Sequence, residues 1–315
     1  MKSKGIFFLV LLFSMQMLTG CTSDNVHSEM NHSKMNHSGM NHSESDKSFL
    51  DTKNMVEVHQ REVSKSISYW HNKDIKGSNV KIALMDTGID LSNNDLVFVK
   101  GANFVGANIE NFEDNQGHGT KIAGIIGARE NNFNLLGIAP KSDLYVAKVA
   151  DDNGDVLFEN LIDGINWAIK QNVDIINISL EFSEDNEELH NVIKKAAEQG
   201  IIILASSGNL KFKGDTSSAY PSVYPEVISV GMLNIEGKIY SEEFIEKKVD
   251  VFAPGEDIVS TYFNDKMTLD GGVSYATAYA TGYAALLIEK FRLETQDYNN
   301  EVIKENLKKY LESDM

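Results

Sequence analysis

Three residue types that together activate a hydroxyl occur in this chain in the order acid, imidazole, hydroxyl. Asp86 lies in Ala83-Leu84-Met85-Asp86-Thr87-Gly88, His118 in Gly117-His118-Gly119-Thr120, and Ser274 in Gly272-Val273-Ser274-Tyr275-Ala276-Thr277. A serine hydroxyl is a weak nucleophile until a histidine takes its proton. The imidazole in turn needs an acid that holds its tautomer and stabilises its cation. Such a set carries out acyl transfer through a covalent intermediate. That chemistry generates an oxyanion, and Asn209, in Ala205-Ser206-Ser207-Gly208-Asn209, offers a side-chain amide for it, with the backbone N–H of Ser274 as the natural second donor. Singly, each residue has an ordinary explanation as a turn former or loop residue. In this order, with these flanks, they read as one constellation.

The elements around them are those that such a site requires. Asp86 ends the apolar run 80–85, as expected for an acid at the carboxyl end of a buried strand, where open α/β sheets place their sites. His118 stands just before the helix-like Ile122-Ala123-Gly124-Ile125-Ile126-Gly127, and Ser274 opens an Ala- and Gly-rich run over 276–287, so both sit at helix starts. The pattern predicts strands near 80–85, 144–149, 174–179, 201–206, 227–230 and 250–252. Helices are expected at 120–129, 158–170, 187–199 and 274–291, with a charged closing helix over 298–311. This alternation argues for a parallel sheet covered on both faces.

The segments between the motifs, Gly137-Ile138-Ala139-Pro140, Asp174-Ile175-Ile176-Asn177-Ile178-Ser179-Leu180, Tyr220-Pro221-Ser222-Val223-Tyr224-Pro225 and Phe252-Ala253-Pro254-Gly255, complete a pattern. From residue 67 to residue 287 it resembles the subtilisin family of serine proteases. The resemblance implies a three-layer α/β fold with a doubly wound, mostly parallel central sheet. It also implies a serine endopeptidase that acts on peptide or protein substrates without a catalytic cofactor. It makes Asp86 the residue that orients the base, His118 the general base and then acid, Ser274 the nucleophile and Asn209 the oxyanion donor. Ser179, Leu180 and Glu181 then lie along the substrate, and Gly208 and Ala219 line the pocket for the residue before the scissile bond. Asp95 and Asn131 fall where the family's calcium site takes side-chain oxygens, and hard oxygen ligands suit a structural Ca²⁺.

The chain also departs from the family pattern. Around the nucleophile the family usually has Thr before the serine, Met after it and Pro-His further on, whereas this chain has Val273, Tyr275 and Ala278-Tyr279. Valine removes a hydroxyl that could assist the oxyanion, and the missing proline is favoured at a helix start but not required. After Ser179-Leu180 the family commonly has two glycines whose backbone pairs with an extended substrate; here stand Glu181 and Phe182. Because such a substrate binds by strand addition, a bulky pair at this rim predicts a selective processing enzyme. The acidic run over 184–188 reads as a solvated helix start, where negative charge is favoured.

The N-terminus predicts location. Lys2 and Lys4 precede an apolar stretch over 6–18, the pattern of a secretory signal. It ends in Leu18-Thr19-Gly20-Cys21, which resembles the lipobox of bacterial lipoproteins. The expectation is a signal peptide over 1–20 and an exported protein held at the cell membrane by lipid on Cys21. Cys21 is the sole cysteine, so no intramolecular disulfide can form. Residues 21–48 carry the repeat Met30-Asn31-His32-Ser33, Met35-Asn36-His37-Ser38 and Met40-Asn41-His42-Ser43. With few apolar residues this segment reads as a flexible tether. Its thioethers and imidazoles at Met30, His32, Met35, His37, Met40 and His42 suit copper, especially Cu(I), while a tether lengthened by simple repetition is the plain alternative. The peptidase domain is then 49–315. This leaves no room between Cys21 and the catalytic domain for the prodomain that such enzymes often carry, so the domain is expected to fold unaided or with outside help.

Acidic residues number 46 against 29 Lys plus Arg, a formal charge of −17. This balance argues against nucleic-acid binding and suits solubility and cations. The rival reading is a catalytically degenerate lipoprotein on the same fold, binding peptide or copper. Retention of Asp86, His118, Ser274 and Asn209 together argues against such decay.

Overall fold

The computed structural model describes residues 67–131, 135–208, 219–241 and 248–312. Cys21, the Met/His repeat, Asn209 and most of the 130–134 loop lie outside them. Seven parallel strands form the central sheet: β1 (Lys81–Asp86), β2 (Phe98–Asn103), β3 (Asp143–Lys148), β4 (Ile175–Ile178), β5 (Ile202–Ser206), β6 (Ile228–Leu233) and β7 (Val251–Pro254). Their spatial order is β2-β3-β1-β4-β5-β6-β7. β1 therefore lies between two strands that follow it in sequence. Strand order reverses there, and the carboxyl end of β1 faces the crevice where α/β sheets bind ligands.

The strands read as near-continuous apolar runs because both faces are covered. Alternate residues of one strand feed two different cores. Ile82 and Leu84 of β1 join the cluster under α1 (His118–Gly127), α4 (Val273–Leu293) and α5 (Asn300–Glu312), while Ala83 and Met85 join the cluster under α2 (Phe158–Gln171) and α3 (Glu187–Glu198). The result is the three-layer α/β architecture expected. α4 is buried on nearly every side, as a helix apolar all round must be. Its buried Glu289 is satisfied by three backbone donors, the N–H groups of Lys76, Gly77 and Ser78 at 2.7, 2.6 and 3.0 Å. Among the described residues no helix is long and apolar enough to cross a membrane.

The predicted strands and helices are all present, with ends shifted by a few residues. Two features escaped the sequence pattern. β2 is an edge strand with Val99 and Lys100 exposed, so its apolar alternation is weak. The second is an antiparallel hairpin, β8 (Ile258–Tyr262) and β9 (Lys266–Asp270), whose second strand is only half-buried. This hairpin backs α1: Ser260 Oγ donates to the Lys121 carbonyl at 2.5 Å and Thr261 Oγ1 to that of Thr120 at 2.7 Å. It then runs directly into α4, linking the helix that begins with His118 to the helix that carries Ser274.

Candidate active site

Asp86 is fully buried at the end of β1. Its Oδ1 accepts the Thr87 backbone N–H at 2.8 Å and lies 2.7 Å from His118 Nδ1. An ionised carboxylate only accepts, so this contact holds a proton on Nδ1 and leaves Nε2 as the acceptor of the neutral ring. His118 is the first residue of α1 rather than a residue ahead of it, and the cause is a second buried acid. Asp114 Oδ1 accepts from Thr87 Oγ1, Gln116 N and Gly117 N at 2.9, 3.0 and 2.8 Å. Its Oδ2 accepts from Thr120 N and Oγ1 at 2.9 and 2.6 Å. One carboxylate thus caps α1 and ties it to the turn after Asp86. Gly119 completes the lock. Its N–H donates to Thr87 Oγ1 at 2.9 Å, and any side chain there would collide with the Gly88 carbonyl.

Sequence reasoning missed Asp114. The available signal was Asp114-Asn115-Gln116-Gly117, an acid placed to bond backbone groups two and three residues on. Lys148, at the end of β3, was also missed. Buried, it donates to the Thr87 carbonyl at 2.7 Å and to Asp152 at 2.8 Å, so a cation braces the same turn from the neighbouring strand.

Ser274 is the second residue of α4 and is buried. Its N–H belongs to the first turn, where helix donors have no partner within the helix. The hydroxyl donates to the Ser179 carbonyl at 3.0 Å, and Ser179 Oγ donates back to the Ser274 carbonyl at 3.3 Å. Behind this pair, Asn177 Nδ2 donates to Ser179 Oγ at 3.0 Å and Thr281 Oγ1 to Asn177 Oδ1 at 2.9 Å, locking the end of β4 to α4. The neighbour of Ser274 turns toward His118. The Tyr275 ring stands edge-on to the imidazole, centroids 6.2 Å apart, and its hydroxyl donates to Asp270 Oδ2 at 2.8 Å. Lys121 of α1 reaches the same Asp270 oxygen at 2.8 Å. Burial, then the Asp270 charge, push the Tyr275 hydroxyl well above the usual phenol range, so it stays protonated. Burial alone would raise the Asp270 carboxyl, but the Lys121 charge and hydrogen bonds from Lys121, Gly271 and Tyr275 outweigh it and hold the group below its ordinary value.

The remaining predicted residues fall in two places. Leu180 and Phe182 are buried, and Phe182 stacks on Phe158 at 3.9 Å. The bulky pair expected at the substrate rim is therefore divided, because adjacent extended residues point to opposite sides: Phe182 enters the core and Glu181 alone stays half-buried, against Gly208 and Ala219. The acidic run opens α3 as a capped start, with Asn186 accepting the Leu189 N–H at 2.9 Å. Asp95 and Asn131 meet through a 2.5 Å bond from Asn131 Nδ2 to Asp95 Oδ1. Burial pushes the Asp95 carboxyl above its usual range, against the lowering effect of Asn131. The amide presents its N–H, not its oxygen, to the carboxylate, so Asn131 would have to turn its amide over to join Asp95 at a hard cation, and among the described residues no three carboxylate, imidazole or thiol groups gather into a cluster.

An imidazole held by a buried acid, with a hydroxyl at the head of a neighbouring buried helix, is the equipment of a serine hydrolase. The chain matches the model of the subtilase family over residues 77–312, and it belongs to that family. It is 39% identical to Subtilisin NAT of Bacillus subtilis subsp. natto over 221 residues, 70% of this chain and 58% of that protein. It is 40% identical to Subtilisin of Bacillus pumilus over 221 residues, 70% of this chain and 80% of that protein. It is 37% identical to the Major intracellular serine protease of Bacillus subtilis over 224 residues, 68% of this chain and 70% of that protein.

Proposed function

We propose that the protein is a serine endopeptidase that cleaves peptide bonds through an acyl-enzyme. The observation that carries this reading is the buried Asp86–His118 contact of 2.7 Å, with Ser274 at the head of α4 and Tyr275 against the imidazole. In this mechanism Ser274 Oγ leaves the Ser179 carbonyl, passes its proton to His118 Nε2 and bonds to the substrate carbonyl carbon. The freed Ser179 carbonyl is then available to the backbone N–H of the bound peptide. The Ser274 N–H and the Asn209 amide are the proposed oxyanion donors. His118 returns the proton to the leaving amine. It next takes one from water as the water oxygen attacks the ester carbon, and gives that proton to Ser274 Oγ as the ester bond breaks and the acid leaves. No step needs a cofactor. Labelling with a fluorophosphonate tests the reading: the wild type should label and both Ser274→Ala and His118→Ala should not. A folded wild type that does not label would refute it.

The division into a signal peptide (1–20), a tether (21–48) and a peptidase domain (49–315) belongs to the same proposal. Export rests on residues 1–21 rather than on the relatives, one of which is named as intracellular. Lipid on Cys21 anchors the enzyme, and Cys21→Ser should abolish incorporation of a labelled fatty acid. The Met/His repeat supplies thioether and imidazole donors for copper, so a peptide spanning it should bind Cu(I). Asp95 and Asn131 hold a structural Ca²⁺ that neutralises the desolvated carboxylate. Calcium should therefore raise the melting temperature of the wild type and not that of Asp95→Ala.

A further inference from the structure

We infer that Asp270 is a positioning residue for the reaction: one oxygen of its carboxylate holds both Lys121 of α1 and Tyr275 of α4, and so fixes His118 relative to Ser274. The inference rests on the endopeptidase reading and extends it to three residues that exchange no proton with the substrate. Asp270 Oδ2 accepts from Lys121 Nζ and from the Tyr275 hydroxyl, each at 2.8 Å, while its Oδ1 accepts the Gly271 N–H at 2.9 Å. Both oxygens are thereby committed. The Lys121 ammonium also stands 5.7 Å from the centre of the Tyr275 ring, within reach of a cation–π attraction. Lys121, Asp270 and Tyr275 thus form one clamp drawn from α1, β9 and α4.

Each arm of this clamp ends at the imidazole. Lys121 lies three residues after His118, so the two share a face of α1. Tyr275 follows Ser274 directly in the first turn of α4, and its ring stands edge-on to that of His118 with centroids 6.2 Å apart. Its bonded hydroxyl therefore fixes the ring that borders the imidazole, while Asp86 holds the imidazole at Nδ1. The hairpin gives Asp270 a firm anchor. β8 is bonded to the Thr120 and Lys121 carbonyls, and the β8–β9 pairing runs through to Ile258 and Asp270. A side chain at Gly124 would collide with Ser260 and Thr261, so α1 rests directly on the hairpin. An ion pair this close to the surface, with side chains 16% and 35% exposed, adds little to stability. Its geometry matters more, because proton transfer from Ser274 Oγ to His118 Nε2 falls steeply with misplacement.

The test is a double-mutant cycle on the full chain: Lys121→Met, Tyr275→Phe and the two together. Both kcat and KM are measured on an amide substrate, with active sites counted by fluorophosphonate titration. Each single variant should lower kcat by about 10-fold and leave KM unchanged, the split expected when an interaction acts on the transition state alone. The double variant and Asp270→Ala should also fall by only about 10-fold, because either loss opens the same clamp. Losses that multiply to about 100-fold would overturn the inference by showing two independent contacts. Single variants as fast as the wild type would overturn it too, as would a raised KM at unchanged kcat in Asp270→Ala, which would make Asp270 a contact to substrate. These three outcomes leave the endopeptidase reading intact. The cycle decides even where Asp270→Ala yields no titratable enzyme. Failure of the wild type to titrate would remove both readings.

Discussion

The Asp86–His118 corner and the slot beside Glu181 lie at the carboxyl ends of adjacent strands, β1 and β4, yet they are built differently. The corner is held many times over: Asp114 accepts five hydrogen bonds, Thr87 joins both acids, and Lys148 braces the turn from behind. The slot is shaped by one two-bond bridge, an absent Cβ at Gly208 and a single half-buried side chain. Groups that must hold a proton within a few tenths of an ångström need such bracing, because catalysis falls steeply with misplacement. The corner around the imidazole is therefore braced from several sides, whereas the rim beside it rests on one half-buried carboxylate.

That contrast can be broken most directly at its centre. Asp86→Asn should lower kcat/KM by about 10⁴-fold, because the amide no longer holds the proton on His118 Nδ1, while the fold survives. A matching circular dichroism spectrum beside a lost rate would separate chemistry from stability. Asp114→Ala should act on both. It strands buried donors of Thr87, Gly117 and Thr120, for a loss of about 3–5 kcal/mol in urea unfolding, and activity should fall with it because His118 rides on the helix that Asp114 caps. A variant as stable as the wild type would show that the corner is less braced than its hydrogen bonds imply.

The smallest effect is expected at the edge of the site. Because the folded-state pKa of Asp270 is depressed, the group contributes stability above its ordinary pKa. That contribution is lost as pH falls through the lower folded value. Melting temperature measured from pH 6 down to pH 2 should therefore fall in the wild type, and Asp270→Asn should flatten part of the decline. If the two curves stayed parallel, the Lys121–Asp270–Tyr275 group would have no role in acid sensitivity.

Much of the fold was legible because each parallel strand carries a continuous apolar run and each helix a period that matches its buried face. The edge strand β2 and the β8–β9 hairpin were not, since half-exposed strands lack that signal. Within the site, the motifs around Asp86, His118 and Ser274 were readable because their flanks are local. Asp114 was hidden in a loop whose turn residues occur wherever chains bend. The pair after Leu180 was misread as one bulky rim, because pattern alone did not say that Phe182 would leave for the core and stack on Phe158.

By itself the sequence determined the family, the order of the chemical groups and the elements that carry them, since these depend on local pattern and residue type. Only the tertiary structure decided which oxygen of Asp86 meets His118, which acid caps α1, that Ser274 rests on the Ser179 carbonyl, and that Glu181 lies over Gly208. Those contacts join residues from 6 to 95 positions apart. The longest of them follow from the strand order that places β1 between β3 and β4.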